Sequence, residues 1–392
     1  METRSSGSQG VLALLPFLVK GALSLDILRA MCVRGLDVCV AYYLAGGGGY
    51  TPDPCDDLRA EGRLVDMTAS QSEGGIAALD AIVRERGIGL VLQIGSPWAY
   101  RQLPYLKMRN PGLRLVDTLY NKIGHTLNHF LFEACFDGVI VESQDMLRYV
   151  LACTTKREPR VRKVESGIDI ERFAPPPSRR RKGVGLVVGY FGRMSPEKNP
   201  LGFVQLAERL HALLPSLSFC MFGEGSMTGE VRSRIDAGGA ADAIRFAGYV
   251  DHPTTALAQM DVLVVPSKLD GRPNVVMEAN ACGVPVIGAP VGGIPELIES
   301  GRNGFLLGPE EHDSIAAVLS SWMSDSASFG RIQATCRATA EARFDRRRML
   351  DAYEAVFREF LSLQSPRGAS GPLQSAARCS QGAEGSVRQL GV

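Results

Sequence analysis

The 392-residue chain lacks a surplus of charge of either sign. Its 43 Lys and Arg residues nearly balance its 42 Asp and Glu residues, which leaves a formal net charge of +1. Domains that bind nucleic acid usually carry a clear basic surplus, so the overall charge gives no support to a nucleic-acid partner. With 45% hydrophobic and 22% charged residues, the composition is that of a globular protein long enough for two domains.

The chain also lacks a cysteine framework and a long apolar run. Its nine cysteines are scattered and include no Cys-x-x-Cys pair. This pattern argues against a disulfide scaffold or a zinc site and favours buried thiols in a reducing compartment. No apolar run reaches the roughly 20 residues of a membrane helix, and residues 11–19, which contain Pro16, are better explained as a strand. Because no basic and apolar leader precedes them, we expect a cytoplasmic protein.

Three motifs that bind cofactors or metals are missing as well. Gly46–Gly49 is not followed by the Lys-Ser/Thr of a phosphate-binding P-loop. Gly223-Glu-Gly225 has Thr228 where a dinucleotide fingerprint needs glycine, so a nicotinamide enzyme is unlikely on this pattern. No Asp-x-Asp stands at the end of a predicted strand, so metal dependence is not indicated. We therefore expect no cofactor and no metal site.

What the sequence does contain is a strand followed by a loop with a carboxylate at each end. The apolar residues 261–267 predict a buried strand that stops at Pro266-Ser267. Asp270 and Glu278 then bracket a glycine- and proline-containing turn into a short helix. In a parallel α/β sheet, ligands sit beyond the carboxyl ends of the strands, where helix N-termini offer free N–H groups to anions. Amides for a phosphate and carboxylates for hydroxyls predict a nucleotide-sugar site.

A second loop fits the same ligand. Gly192, Arg193 and Lys198 follow the buried strand predicted at 186–191. Glycine lets the backbone come close, the Arg193 guanidinium is a planar fork that suits phosphate, and Lys198 adds a compact charge. Alone, this segment could be a surface loop, but together with Asp270 and Glu278 it is favoured as a phosphate-binding loop.

These segments resemble the donor site of glycosyltransferase family 4. The likeness rests on Asp270-Gly-Arg-Pro273, on Glu278, on Ala281-Cys-Gly-Val-Pro285 and on Gly292-Gly-Ile-Pro-Glu296. It is strong over residues 185–345 and weak over 1–170. The family signature is Glu, seven residues, then Glu, and this chain departs from it because Asp270 is one methylene shorter.

The resemblance implies the GT-B fold, in which two doubly wound Rossmann-like α/β domains face each other across a cleft. Residues 1–172 would form the acceptor-side domain and residues 173–344 the domain that binds the nucleotide sugar. A final helix at 345–363 would pack back on the first domain, and 364–392 would be a disordered tail. The Pro-rich and basic stretch at 175–182 is a linker, either merely solvated or in contact with anionic lipid or polymer.

The resemblance also implies roles for individual residues. His125, Arg193, Lys198 and Asp270 would be catalytic, with His125 facing the donor sugar, and His129 is its weaker rival. Glu278 would hold the ribose and Asp270 the sugar hydroxyls. The donor-binding set would be Gly21, Gly192, Arg193, Lys198, Gly223, Tyr249, Val250, Asp270, Gly271, Arg272, Pro273, Asn274, Val275 and Glu278. For Gly21 an ordinary strand-helix turn, and for Tyr249 a core position, are the alternatives.

The implied function is a retaining, metal-independent, hexosyltransferase-like enzyme of polysaccharide or glycoconjugate synthesis. It would move a sugar from a UDP- or GDP-linked donor to a hydroxyl of a glycan or lipid-linked acceptor, with a peripheral contact to the inner membrane face as one option. Two alternatives remain: a GT-B sugar-nucleotide epimerase, and a protein that binds a nucleotide sugar without turnover.

Overall fold

The computed structural model describes residues 10–44, 51–71, 74–175 and 185–363. Within these ranges the chain forms two parallel β-sheets, each with helices on both faces. The predicted fold class, two doubly wound Rossmann-like domains, is confirmed. The glycine loop at 46–49, the basic residues 179–182 and the tail 364–392 lie outside the described residues.

The first sheet has seven strands in the order β3-β2-β1-β4-β5-β6-β7, and every pair is parallel. Its buried strands, such as Ile88–Gln93, are continuous apolar runs, as expected for a sheet that helices cover on both sides. The strands are β1 Gly10–Phe17, β2 Val38–Leu44, β3 Leu64–Asp66, β4 Ile88–Gln93, β5 Arg114–Leu119, β6 Gly138–Val141 and β7 Val161–Lys163. The helices of this half are α1 Leu23–Val33, α2 Asp56–Ala60, α3 Gly75–Glu85, α4 Pro97–Arg109, α5 His125–Phe132 and α6 Gln144–Cys153.

The second sheet has six parallel strands in the order β10-β9-β8-β11-β12-β13. The strand order reverses at β8 and β11, which lie side by side, because β9 and β10 are added on one side of β8 and β11 to β13 on the other. Such a reversal is the switch point where open α/β sheets bind ligands. The strands are β8 Val187–Phe191, β9 Ser218–Phe222, β10 Ile244–Gly248, β11 Val262–Val265, β12 Val286–Gly288 and β13 Gly304–Leu306. The helices are α7 Pro200–Leu213, α8 Thr228–Asp236, α9 Pro253–Leu257, α10 Asn274–Ala281, α11 His312–Ser324 and α12 Ser326–Arg343.

The last helix, α13 Arg346–Ser362, belongs to the core of the first sheet although it follows the second in sequence. Its buried side chains include Tyr353, Phe357 and Phe360. A Cβ atom at Gly138 would lie 2.1 Å from the Phe360 ring, so glycine in β6 makes room for this helix. The backbone N–H of Ile168 donates to the carbonyl oxygen of Phe344 at 2.8 Å. The segment that leaves the first sheet is therefore hydrogen-bonded to the segment that returns to it.

The structure adds one helix that is not predicted and corrects one expectation. Helix α4 runs on through Pro104, although a proline in a helix interior favours a break. The cysteines were expected to be buried thiols, but Cys153 is exposed at the end of α6.

Candidate active site

The carboxyl ends of β8 and β11 border a cavity of about 170 Å³. Its walls come from the strand ends, the loop after β8 and the first turn of α10, so backbone N–H groups at a helix N-terminus border it. Six of the sequence-predicted site residues line it: Gly192, Lys198, Asp270, Pro273, Asn274 and Val275. The remaining lining residues are Tyr190, Phe191, Val264, Val265, Pro266 and Ser267.

Lys198 and Asp270, predicted separately, form an ion pair in this cavity. The Lys198 Nζ donates to Asp270 Oδ2 at 2.7 Å, and the Ser267 hydroxyl donates to the same oxygen at 3.0 Å. The Asp270 side chain is only 8% exposed, whereas the Lys198 side chain is 25% exposed. The cation and carboxylate expected to hold different parts of a donor are therefore hydrogen-bonded to each other in the structure.

The loop after β8 is held by glycines at close backbone contacts. Gly223 has φ of 120°, and a Cβ atom there would lie 2.0 Å from the carbonyl oxygen of Gly192. No side chain fits at Gly223, so glycine sets the distance between the two loops. Arg193 is half-exposed, and its Nη1 lies 3.8 Å from Glu197 Oε1. Arg193 is not among the residues that line the cavity.

The backbone of the loop that carries Asp270 packs closely against Gly292 and Gly293. A Cβ atom at Gly292 would lie 1.7 Å from the carbonyl oxygen of Asp270, and one at Gly293 would lie 2.0 Å from that of Gly271. The predicted Gly-Gly pair thus gives the loop its position by close backbone contact.

The same loop touches the first domain. A Cβ atom at Gly271 would lie 2.2 Å from the carbonyl oxygen of Tyr120 and 3.5 Å from Glu142 Oε1. Burial raises the pKa of the Glu142 carboxyl to about 8, with the Asp270 charge adding to the effect and the Arg272 charge opposing it. Sequence reasoning missed Glu142, although its place directly after a buried strand was visible.

Arg272 is buried and bridges the two domains. Its Nη2 donates to Glu165 Oε2 at 3.1 Å, and its Nη1 lies 3.9 Å from Glu296 Oε2. Burial lowers the pKa of Arg272, while the Glu165 and Glu296 charges oppose that shift. Glu296 also accepts the backbone N–H groups of Gln144 at 2.9 Å and Asp145 at 3.1 Å. It thereby supplements the Ser143 N-cap of helix α6 in the other domain.

The two candidate histidines occupy different surroundings. His125 begins α5, is partly exposed, and places Nε2 3.1 Å from the carbonyl oxygen of Thr118. His129 is fully buried, with Nδ1 2.8 Å from Asp117 Oδ2, which also accepts from the Tyr100 hydroxyl at 2.7 Å. His129 is thus part of a buried polar network, whereas His125 remains at the strand end that faces the cleft.

The other predicted residues are not among those that line the cavity. Burial raises the pKa of Glu278 to about 7, and the Arg172 charge opposes that shift. Tyr249 is 61% exposed, so the alternative that it is a core residue is wrong. Val250 is partly buried and packs against a hydrophobic cluster of the second sheet. Gly21 has φ of 75°, and nothing lies within 4 Å of its Cβ position, so it serves a turn rather than a close contact.

Nowhere in the described ranges do three or more His, Cys, Asp or Glu side chains group in a way that could hold a metal ion. Among the same residues, no helix combines the length and apolar character needed to cross a bilayer.

Residues 176–342 match the family model described as glycosyl transferases group 1. The chain is 28% identical over 238 residues to a D-inositol 3-phosphate glycosyltransferase of Mycobacterium marinum, covering 57% of this chain and 50% of that protein. It is 28% identical over 167 residues to an Escherichia coli UDP-Gal:alpha-D-GlcNAc-diphosphoundecaprenol alpha-1,3-galactosyltransferase, covering 40% and 43%. The chain therefore spans half or less of the length of these curated relatives.

Among solved structures, Anabaena Alr3699/HepE in complex with UDP and glucose superposes with a TM-score of 0.72. The alignment covers 91% of this chain and 100% of that one at 20% identity. At this identity the likeness shows the fold. The second half of the chain is thus similar to group 1 glycosyl transferases, and the whole described chain has the fold of a GT-B glycosyltransferase.

Proposed function

We propose that this protein is a retaining, metal-independent glycosyltransferase of family 4 that takes its sugar from a nucleoside diphosphate sugar. The observation that carries the proposal is the cavity at the switch point of the second sheet, where Lys198, Asp270 and the N-terminus of α10 meet. A cation and free helix N–H groups suit a diphosphate, and a carboxylate suits sugar hydroxyls.

A UDP-linked hexose is the favoured donor, because HepE was solved with UDP and glucose and one curated relative is named for UDP-Gal. A GDP-linked sugar is the alternative. The acceptor is a hydroxyl of a glycan or lipid-linked sugar in polysaccharide or glycoconjugate synthesis, since that relative is named for a diphosphoundecaprenol acceptor. The reaction would take place in the cytoplasm, with the first domain on the acceptor side and the second on the donor side.

In the proposed step, the bond between the anomeric carbon and the leaving phosphate oxygen breaks, and its electron pair stays on the phosphate. The acceptor oxygen bonds to the same face of the sugar, and its proton passes to the departing phosphate oxygen. Lys198 and Arg193 would stabilise the diphosphate as its charge grows. Asp270 would hold the sugar hydroxyls, Glu278 the ribose, and His125 the sugar from the facing domain.

The remaining predicted residues would complete the donor site. Gly21 would let the first loop turn near the phosphates, and Gly192 and Gly223 would keep the two loops of the second domain close. Tyr249 and Val250 would bound the base, and the backbone of 271–275 would contact the sugar and the phosphates.

A panel of UDP- and GDP-linked sugars, measured by thermal shift, tests the binding half of the proposal. At a free concentration 100 times the Kd, a ligand adds about 2.7 kcal/mol of stability, which is readily seen as a rise in Tm. The free diphosphates UDP and GDP identify the base, and NAD serves as a negative control. If no nucleotide sugar raises the Tm, the proposal fails.

A silent nucleotide-sugar-binding protein is the second candidate, because Asp270 is shorter than the family glutamate and is tied to Lys198. Release of the diphosphate from any sugar of the panel would exclude it. Conversion of the donor to an epimer without transfer would instead support the epimerase.

A further inference from the structure

The outer surface of helices α4 and α5 in the first domain is unusually apolar. In and beside these helices, five large hydrophobic side chains are more than half exposed: Tyr105 56%, Met108 77%, Ile123 51%, Leu127 59% and Leu131 78%. The two helices lie side by side, with the Tyr100 ring of α4 stacked on Phe132 of α5 at 6.0 Å. Single exposed apolar residues are ordinary, but a group of five on neighbouring helices marks an interaction surface.

The exposed charge that this stretch contributes is positive. Between residues 97 and 131 the only acid is Asp117, which is fully buried, whereas the same stretch has five Lys and Arg residues. Three of these cations pair with carboxylates outside the stretch, Lys107 and Arg114 with Asp137 and Lys122 with Asp145. Arg101 and Arg109 are exposed. Arg109 Nη1 lies 3.3 Å from Asp80, but that aspartate is nearly buried, so the charge that faces solvent is positive. The surface thus presents apolar side chains among cations and no exposed acid from its own stretch.

We infer that this α4–α5 surface docks on an anionic phospholipid bilayer, with its apolar side chains at the headgroup boundary and Arg101 and Arg109 against lipid phosphates. Apolar area and basic charge on a helical face are what interfacial binding requires. A second copy of the chain fits less well, because a two-fold contact through this surface would set cations against cations.

The position of this surface agrees with the proposed function. The orientation of the cleft towards the bilayer, described next, rests on that function, whereas the docking itself does not. Ile123 and Leu127 flank His125 at the N-terminus of α5, and this end of α5 follows the carboxyl end of β5. Those strand ends face the donor loop, since Gly271 meets Tyr120 there. A bilayer under α4 and α5 would therefore lie beside the cleft, where a lipid-linked hydroxyl could enter.

Co-sedimentation with lipid vesicles, without any nucleotide sugar, tests the inference on the full chain. Wild type should bind vesicles that contain phosphatidylglycerol and bind phosphatidylcholine vesicles much less. Binding should fall at ~1 M salt, where the Debye length is about 3 Å. The Leu127→Asn/Leu131→Asn variant should bind at least about tenfold more weakly, because two largely exposed leucines lose their transfer into the bilayer.

Leu213→Asn is the matched control, since Leu213 is 51% exposed on α7 of the second domain and should leave binding unchanged. Arg101→Glu/Arg109→Glu is a second variant that should abolish the preference for the anionic lipid. If wild type ignores anionic vesicles, or if Leu213→Asn weakens binding as much as the double variant, the inference is wrong. It is also wrong if sedimentation shows a dimer that the leucine variant dissociates.

Thermal shift with UDP separates this inference from the proposed function. Because the α4–α5 residues lie outside the donor cavity, both variants should keep the wild-type response to UDP. Vesicle binding without any response to nucleotides would overturn the proposed function and support the lipid-docking inference. A response to UDP without vesicle binding would support the proposed function and overturn the lipid-docking inference.

Discussion

The ion pair between Lys198 and Asp270 allows substitutions of the two residues to be predicted with opposite signs. In the structure, Lys198 Nζ donates to Asp270 Oδ2 at 2.7 Å, so a diphosphate must compete with Asp270 for the ammonium group. Lys198→Met removes a charged hydrogen bond worth ~1.5–3 kcal/mol, which predicts about 10- to 150-fold weaker UDP binding. Asp270→Asn removes the competitor and a negative charge, and should therefore bind free UDP as well as wild type or up to about tenfold more tightly.

The two variants should also differ in stability. Lys198→Met leaves a carboxylate that is 8% exposed and that, among the described residues, keeps the Ser267 hydroxyl as its hydrogen-bond partner. Asp270→Asn leaves a lysine that is 25% exposed and can turn towards water. Loss of one partner of a buried ion pair lowers the free energy of unfolding by ~3–5 kcal/mol. A surface ion pair contributes about 0–1 kcal/mol. For this partly buried pair we expect a loss of ~2–3 kcal/mol for Lys198→Met and of about 1 kcal/mol for Asp270→Asn.

Isothermal titration calorimetry with UDP, together with urea denaturation, measures both effects. Lys268→Met is the control, because Lys268 is an exposed lysine of the same loop that does not line the cavity. The reasoning is refuted if Lys198→Met binds UDP like wild type. It is also refuted if Asp270→Asn binds UDP as weakly as Lys198→Met does.

Further predictions concern the contact between the domains and the chemistry of the site. Gly271→Ala should push the domains apart, because its Cβ would lie 2.2 Å from the carbonyl oxygen of Tyr120. Small-angle scattering should then show a larger radius of gyration than for the control Gly239→Ala, whose Cβ would have nothing within 4 Å. Glu142 keeps its proton in the folded state up to a pKa of about 8, so its contribution to stability falls as pH rises from about 4.5 to 8, and Glu142→Gln should flatten that part of the Tm–pH curve. Glu296→Ala should cost ~0.5–2 kcal/mol in chemical denaturation, because the backbone N–H groups of Gln144 and Asp145 at the start of α6 lose their acceptor. Activity should survive EDTA, and loss that magnesium restores would contradict metal independence.

The fold of the second half could be predicted in most of its elements because its strands are short apolar runs with clear stops. Strands at 186–191 and 261–267 were predicted and correspond to Val187–Phe191 and Val262–Val265. Helix α4 could not be predicted, since Pro104 has no N–H to donate and tertiary packing of Tyr100 and Leu103 overrides that local cost.

The site could be predicted by residue type but not by pairing. Lys198 and Asp270 are 72 positions apart, and their contact depends on β8 and β11 being neighbours in the sheet, which no local pattern states. The contacts that Arg272 and Glu296 make with the first domain depend on how the two sheets face each other. They could not be predicted from the spacing of residues in the sequence. The sequence ranked His129 below His125, but the buried contact of His129 with Asp117 could not be read from it.

The central claim, that this cavity transfers a sugar from a nucleoside diphosphate sugar, is tested most directly by release of the diphosphate. Purified protein is incubated with each UDP- and GDP-linked sugar and an extract of membrane lipids and polysaccharide as acceptor, and free UDP or GDP is measured over time. The proposal predicts steady release from one donor, which Lys198→Met slows by about 10- to 150-fold but which persists with Lys268→Met and in EDTA. Release that Lys198→Met leaves at the wild-type rate, or no release from any donor, would contradict it.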